Sequence, residues 1–377
     1  MRTRKAFVLS ELFENLEDPR ARGRNFRYPL ETVLFTAIVG LACGQKTFTA
    51  IADFVSDQEG WFARFLDMEN GTPSEDTYRR VFEAIKPEQL GRVFSKWAAL
   101  LTESVEQEVI AIDGKTVRNS GHGTERALHL VSAWASENGL VLGQVATDDK
   151  SNEITAIPKL LETLDVRDAI VTIDAMGCQK KIAEEIGNKG GHYLLAVKEN
   201  QPTLLAQIRD LFDEFDADEL SDDSMQVHED VDKGHGRIET RRCSTTGDIS
   251  DVRRADAWPH LTSVCRIQSS RCIKDVTSSE TRYYISSLPG DDAEKMLHAT
   301  RAHWGVENKL HWCLDVTFGE DKANIRLNNL RENFAVLRRV ALNALRKLPA
   351  FKGNLAQAGR RAAFNLSVRE SLLFSIL

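Results

Sequence analysis

The 377-residue sequence is short of several features, and each shortage removes a class of protein. Its six cysteines (43, 178, 243, 265, 272 and 313) form no CxxC pair and no zinc-ligand spacing. That excludes a thiolate metal centre and points to free thiols in a reducing cytoplasm. The longest uncharged apolar run, Thr32 to Gln45, has 14 residues, too few to cross a bilayer. The basic start Met1-Arg2-Thr3-Arg4-Lys5 is not followed by the apolar segment of a secretory signal. No internal repeat or low-complexity tract appears. Overall positive charge is missing too: the net charge is −7, which taken alone argues against a polyanionic partner.

What is present qualifies that last point. Residues 301–377 hold 13 Lys/Arg against 6 Asp/Glu, and residues 1–28 hold 7 against 4. The remaining middle therefore carries −17, and basic ends on an acidic body leave room for a local polyanion-binding face. A hydrophobic share of 42% and a charged share of 28% are those of an ordinary soluble protein, long enough for two or three structural units around a sizeable core.

The organising stretch is Val109-Ile110-Ala111-Ile112-Asp113-Gly114-Lys115. A short apolar run without alternation predicts a strand buried on both faces, with Asp113 at its carboxyl end, where open α/β sheets place their sites. Ala169-Ile170-Val171-Thr172-Ile173-Asp174 repeats the design. Two such strands side by side bring Asp113 and Asp174 together, and carboxylates that close repel unless a cation lies between them. Hard cations such as Mg²⁺ take oxygen ligands. Each Asp taken singly is equally a turn cap.

Along the chain, residues 7–100 read as helical. Thr72-Pro73-Ser74-Glu75 looks like a capping box with proline at the first helical position. The helix it opens carries Tyr78, Val81, Phe82 and Ile85 on one face and leaves Arg79 and Arg80 outside that stripe, free for phosphate contacts. From about residue 106 come the Asp113 strand, runs at Leu128–Ala135 and Leu140–Thr147 joined across Asn138-Gly139, a helix at Glu153–Leu164, the Asp174 strand, a helix at Cys178–Ile186 and a strand at His192–Val197. That order is the order of an RNase H-like core. An acidic stretch, Asp210 to Asp223, and β-like pieces at Leu261–Gln268 and Thr281–Ser286 read as an acidic linker and a strand-rich insertion, with helix returning at about Asp291. The expected class is thus α/β: an RNase H-like mixed-sheet core with a strand-rich insertion and an N-terminal helical domain. The expected divisions are 1–104, 105–204, 205–290 and 291–377.

A third carboxylate is sought on the helix RAHWGVENKLHW from Arg301. His303, Glu307, Leu310, His311 and Leu314 share one face by spacing, so Glu307 is expected to point inward among apolar neighbours. A buried carboxylate is costly unless paired or bound to metal. The bland alternative is a surface pair of Glu307 with Arg301 or His311.

The strings AIDGKTVRNS, TIDAMGCQKKIA, HYLLAVKENQPTL, KGHGRIETR and RAHWGVENKLHWCLDVTFGEDKANIR, in this order, resemble the ISAs-type (H-repeat-associated) bacterial insertion-sequence transposases over nearly the whole chain. The resemblance implies a DDE transposase with Asp113, Asp174 and Glu307 as catalytic and metal-binding triad, and Mg²⁺ as cofactor, with Mn²⁺ as substitute. It implies double-stranded DNA as partner, a homodimer on DNA, and a cytoplasmic, nucleoid-associated protein. Related transposases have arginine four residues before this glutamate, lysine seven after it and tyrosine seven before it. Here those positions are His303, Leu314 and Thr300, so Lys309, His311 and Arg326 are the candidate substitutes. The DNA-contact candidates are Lys115, Lys198, Asn200, Gln201, His235, Arg237, Arg241, His303, Lys309, His311, Arg326, Arg79 and Arg80. The 235–242 stretch is taken as a basic loop. The alternative is a catalytically silent, domesticated DNA-binding protein of the same fold. A glycosidase carboxylate pair is a third option, and it leaves the basic clusters unexplained.

Overall fold

The computed structural model describes residues 8–14, 16–20, 27–102, 107–121, 126–147, 153–217, 225–234, 236–349, 351 and 353–376. Six helices come first: α1 (Val8–Glu14), α2 (Leu30–Ala42), α3 (Phe48–Asp57), α4 (Glu59–Phe62), α5 (Glu75–Ala84) and α6 (Pro87–Leu101). Helix α5 opens on Ser74, whose hydroxyl accepts from the Thr77 amide at 3.4 Å. The cap is therefore Ser74 rather than Thr72, and Pro73 precedes it. The stripe of Tyr78, Val81, Phe82 and Ile85 is buried, as its spacing requires.

Strands β1 (Val109–Thr116), β2 (His129–Ala135) and β3 (Leu140–Thr147) form an antiparallel meander. The β2–β3 turn has Gly139 at φ 67, a conformation that glycine adopts without strain. Helix α7 (Glu153–Glu162) leads to β4 (Ile170–Ile173), which pairs in parallel with β1; helix α8 (Lys180–Asn188) leads to β5 (His192–Val197), parallel to β4. The meander followed by two parallel strands is the RNase H-like core. After α9 (Pro202–Ala217) come β6 (Met225–Gly234), β7 (Arg237–Thr246), β8 (Ser263–Ile273) and β9 (Val276–Ser286). These four do not form a separate sheet. Strand β9 pairs antiparallel with β5, so one nine-stranded sheet runs β3-β2-β1-β4-β5-β9-β8-β7-β6. The expected basic loop is strand β7, Arg237 and Arg241 lie on it, and His235 falls outside the described residues. Of the acidic stretch, residues 210–217 lie on α9 and the rest lies outside the described residues.

Helices α10 (Ala293–His303), a π-helical turn (Val306–His311), α11 (Trp312–Val316), α12 (Asn328–Arg346), α13 (Leu355–Phe364) and α14 (Leu366–Ile376) complete the chain. One sheet face packs Ile110, Ile112, Val171, Ile173, Tyr193 and Leu195 against α7, α8 and α9. On the other face, Val109, Ile170 and Leu194 meet Met296, Leu297 and Ala299 of α10. The N-terminal helices share a single apolar core with α12 and α14, from Leu9 through Phe334 to Ile376. Helix α12 is the tie. Asn343 holds both the amide and the carbonyl of Val141 on edge strand β3, and the Asn333 amide donates to the Phe82 and Ile85 carbonyls at the end of α5. Pairing the sheet edge this way satisfies groups that would otherwise invite another strand.

Candidate active site

Side chains alternate along a strand, so one sheet face carries Val109, Ala111 and Asp113 on β1. The parallel register sets Val109 against Ile170 and Ala111 against Thr172. Asp113 and Asp174 are the next residues of the two series. They lie side by side on the same face, where β1–β4 pairing stops. Asp113 is not the last residue of its strand, because β1 continues to Thr116 through its pairing with β2. Asp174 also caps the turn after β4, its Oδ1 accepting from the Met176 amide at 3.1 Å, so it caps a turn and lines the cavity at once.

These residues floor a cavity of about 200 Å³. Leu194 and Ala196 continue the floor from β5, Tyr284 and Arg282 from β9, and Lys198, just after β5, stands at the wall. Thr300, His303, Trp304, Val306 and Glu307 form the roof. The His303 Nδ1 meets Thr172 Oγ1 at 2.9 Å, and burial holds this imidazole below the ordinary histidine pKa. Glu307 departs from expectation. Its side chain is 54% exposed, because the helix does not run straight through: α10 ends at His303 and a π-helical turn follows, so regular helical spacing fails there. Such turns recur at functional sites. Glu307 reaches the floor from the cavity rim.

His311, one turn on, is buried, with its Nδ1 3.4 Å from Glu307 Oε2 and 3.7 Å from Asp113 Oδ2. One ligand atom from each of Asp113, Glu307 and His311 lies within 4.8 Å of the others. Burial pushes the Asp113 carboxyl up to about 7; the Gly114 amide opposes this, and the charges of Glu307, Asp174 and Glu153 add to it. Burial likewise pushes His311 down to about 4 against the pull of Glu307, with Arg339 and Lys115 pushing the same way as burial. The carboxylates are thus short of positive charge, and the imidazole beside them is neutral. A hard divalent cation with oxygen ligands fits that donor set.

Behind Asp113 the sheet is braced. His129 Nε2 meets Glu153 Oε1 at 2.7 Å in the interior, and Thr116 Oγ1 meets His129 Nδ1 at 2.8 Å. A Cβ on Gly114 would lie 2.2 Å from that Glu153 oxygen, so glycine is required for the close approach. His129 and Glu153 carry no motif, and only the pairing of β1 with β2 shows why they matter.

The remaining candidates divide. Lys115 is corrected: its side chain is 8% exposed and its ammonium sits 2.8 Å from Asp315, 2.9 Å from Asp321 and 3.6 Å from Glu320, leaving no face for a duplex. Lys198 is exposed at the cavity wall. The Asn200 and Gln201 amides donate to the Ala175 and Cys178 carbonyls, at 2.5 and 3.0 Å, tying the loop after β5 to the Asp174 turn. Arg237 and Arg241 flank Glu239 on β7 and both pair with it, joined by Arg271 from β8 at 3.4 Å. These residues line a groove of about 750 Å³ that also takes in Arg282, Arg301 and Trp304 and so continues from the cavity. Arg282 stacks over the Trp304 ring at 4.7 Å, a contact without a sequence motif. Lys309 and Arg326 are exposed. Arg79 and Arg80 are exposed on α5, each beside a carboxylate one turn back. Among the described residues no helix is long and apolar enough to cross a membrane.

Comparison with known proteins gives the family. Residues 105–344 match the family described as "Transposase DDE domain", and residues 10–98 the one described as "DDE_Tnp_1-associated". The chain is 39% identical over 368 residues to "Putative transposase YncI" of Escherichia coli O157:H7, covering 96% of this chain and 93% of that protein. It is 39% identical to "H repeat-associated putative transposase YhhI" of Escherichia coli K12, covering 92% of each. A piggyBac transposase in a synaptic complex with hairpin DNA aligns over 98% of this chain and 77% of its own, with 10% identity and a TM-score of 0.46. The chain belongs to the DDE transposase family, matching an H-repeat-associated relative over nearly its whole length.

Proposed function

We propose that this chain cuts and joins the ends of a bacterial insertion sequence by two-metal phosphoryl transfer, with Asp113, Asp174 and Glu307 as the carboxylate triad and Mg²⁺, or Mn²⁺ in its place, as cofactor. The observation that carries this is the register of β1 and β4, which sets two carboxylates side by side under a third. Bound cations supply Lewis-acid polarisation of a phosphate oxygen and a nucleophile at neutral pH. The chain's own residues do the rest. Asp113 is shared by the donor set, and its raised pKa makes it the carboxylate that gains most from a cation. Lys198 and Arg282, at the cavity wall, hold phosphate oxygens by charge-assisted hydrogen bonds. The groove past Arg241 and Arg237 carries the flanking backbone, an electrostatic contact without base preference.

In this reading the division at 1–104, 105–204, 205–290 and 291–377 is also one of labour. Exposed Arg79 and Arg80, with Arg326 and Lys309, position the element end. Two copies act on paired ends, as a homodimer on DNA in the cytoplasm. A silent, domesticated descendant is the second reading; the three carboxylates at one cavity favour the active one. The test is strand cleavage of the element's own end DNA with Mg²⁺, comparing wild type with Asp113→Ala. Metal-dependent cleavage lost in the variant is the expected result; cleavage retained in it overturns the triad.

A further inference from the structure

We propose that His311 is a nitrogen ligand to the divalent cation shared by Asp113 and Glu307, so that the two cation positions around Asp113 differ: one all-oxygen with Asp174, the other mixed nitrogen and oxygen. The inference rests on the metal-dependent reading above and deepens it. His311 stands in the π-helical turn, 5% exposed, and its Nδ1 faces both carboxylates. At 3.4 and 3.7 Å these contacts are too long for good hydrogen bonds. They are open enough to seat a cation at ligand distances of about 2.0–2.2 Å. One ligand atom from each of the three residues falls within 4.8 Å of the others. The ring is otherwise poorly satisfied: its Nε2 is buried and has no hydrogen-bond partner among the described residues. A cation on Nδ1 leaves the proton on Nε2, so this orphan bears on the tautomer and not on the ligand; a buried imidazole whose Nδ1 faces two carboxylates calls for a reason other than stability. The turn supplies one, since it swings Glu307 to the rim while keeping His311 in the interior. No acid or base beyond this trio is needed, because the neighbouring cations are already held elsewhere: Lys115 by Asp315, Glu320 and Asp321, and Arg339 by Glu320.

A nitrogen donor changes which metals bind well. Imidazole suits the later divalent metals, whereas Mg²⁺ is served by oxygen. The mixed position should therefore prefer Mn²⁺ and Co²⁺ over Mg²⁺ by more than a purely carboxylate site does.

The experiment is pulsed EPR of Mn²⁺ bound to the full chain without DNA, with titration calorimetry of Mn²⁺ and Mg²⁺ alongside. Wild type should show ¹⁴N hyperfine coupling to the bound Mn²⁺. His311→Gln should lose that coupling, keep carboxylate-dependent binding, and weaken Mn²⁺ affinity roughly tenfold while Mg²⁺ affinity changes less. His311→Asn, smaller than Gln, repeats the measurement if His311→Gln does not fold. Bound Mn²⁺ without ¹⁴N coupling in wild type overturns the proposal and leaves the carboxylate reading standing. Coupling that persists in the folded variant also overturns it and assigns the nitrogen to His303, which lines the same cavity. Wild type that binds neither metal, with Asp113→Asn indistinguishable from it, overturns the metal-dependent reading and this inference together.

Discussion

Two acidic clusters adjoin strand β1, two residues apart along the chain. The first is Asp113, Asp174 and Glu307; the second is Asp315, Glu320 and Asp321 around Lys115. Both hold three carboxylates, but they differ in who supplies the positive charge. The second is neutralised by the protein: Lys115, Arg338 and Arg339 surround it, and Arg339 Nη1 donates to Glu320 Oε1 at 2.8 Å. Burial would raise the Glu320 carboxyl, yet Arg339, Arg338 and Lys115 hold it down to about 2. In the first cluster Asp113 is pushed up to about 7 instead. A buried carboxylate is held low where the chain provides the cations, as at Glu320, and is pushed up by burial where it does not, as at Asp113; Asp315, half-shared with Lys115, is also raised by burial.

The comparison breaks most sharply under single neutralising changes. Glu320→Gln leaves Lys115, Arg338 and Arg339 without their shared partner in the interior and should destabilise the fold by about 3–5 kcal/mol in urea unfolding. Asp113→Asn removes a carboxylate that the fold does not neutralise, so metal-free stability should hold or rise. A loss of more than about 1 kcal/mol in Asp113→Asn would mean the two clusters are alike.

Acidity separates them next. The Asp113 carboxyl, about 7 in the fold against an ordinary 3.8, stays protonated longer in the folded state. Metal-free stability should therefore fall as pH rises from about 4 to about 7, by at most about 1.4 kcal/mol per unit. Glu320, about 2 against 4.5, acts in the opposite sense: its contribution is present above 4.5 and is lost as pH falls toward 2. Unfolding curves across pH, with EDTA and with Mg²⁺, check both. Saturating cation should remove the slope between 4 and 7, because it displaces the Asp113 proton.

A smaller effect is expected behind the site. Gly114→Ala forces a Cβ against Glu153 and His129 and should cost about 1–3 kcal/mol, with cleavage falling as Asp113 shifts. Thermal unfolding and cleavage measured together would expose a mismatch. The smallest effect concerns the groove. Replacing Arg237 and Arg241 by Glu should flatten the log–log salt dependence of DNA affinity by about 2 units, one per lost phosphate contact. The loss of affinity should be largest at low salt and shrink as salt rises, although Glu239 already draws on both arginines.

The sequence made the floor of the site legible and its roof less so. Unbroken apolar runs announce β1 and β4, and their terminal carboxylates announce Asp113 and Asp174, because both signals are local. Glu307 is found from its motif, but its exposure is not, since helical spacing assumes i→i+4 winding and the π-helical turn breaks it. Lys115 reads as a basic residue at a strand end until the chain some 200 positions on brings Asp315, Glu320 and Asp321 onto it. Strand β6 and the first half of β7 pass unseen because they show no apolar alternation and are at most partly buried, and the buried end of β7, Cys243 to Thr246, is mostly polar in sequence. Arg282 and Trp304 meet only through the pairing of β5 with β9, which no local pattern encodes.

The most direct measurement is single-turnover cleavage of duplex carrying the element's own end, across a Mg²⁺ series, for wild type, Asp174→Asn, Glu307→Gln and Asp315→Asn. The account expects Asp174→Asn and Glu307→Gln to stay folded and lose about a thousandfold in rate, the several kcal/mol that a positioned metal contributes. It expects Asp315→Asn, when folded, to keep its rate within about tenfold, since Lys115 retains two other carboxylates. Cleavage at the wild-type rate by either Asp174→Asn or Glu307→Gln, or loss in Asp315→Asn equal to theirs, would contradict the division between the two clusters.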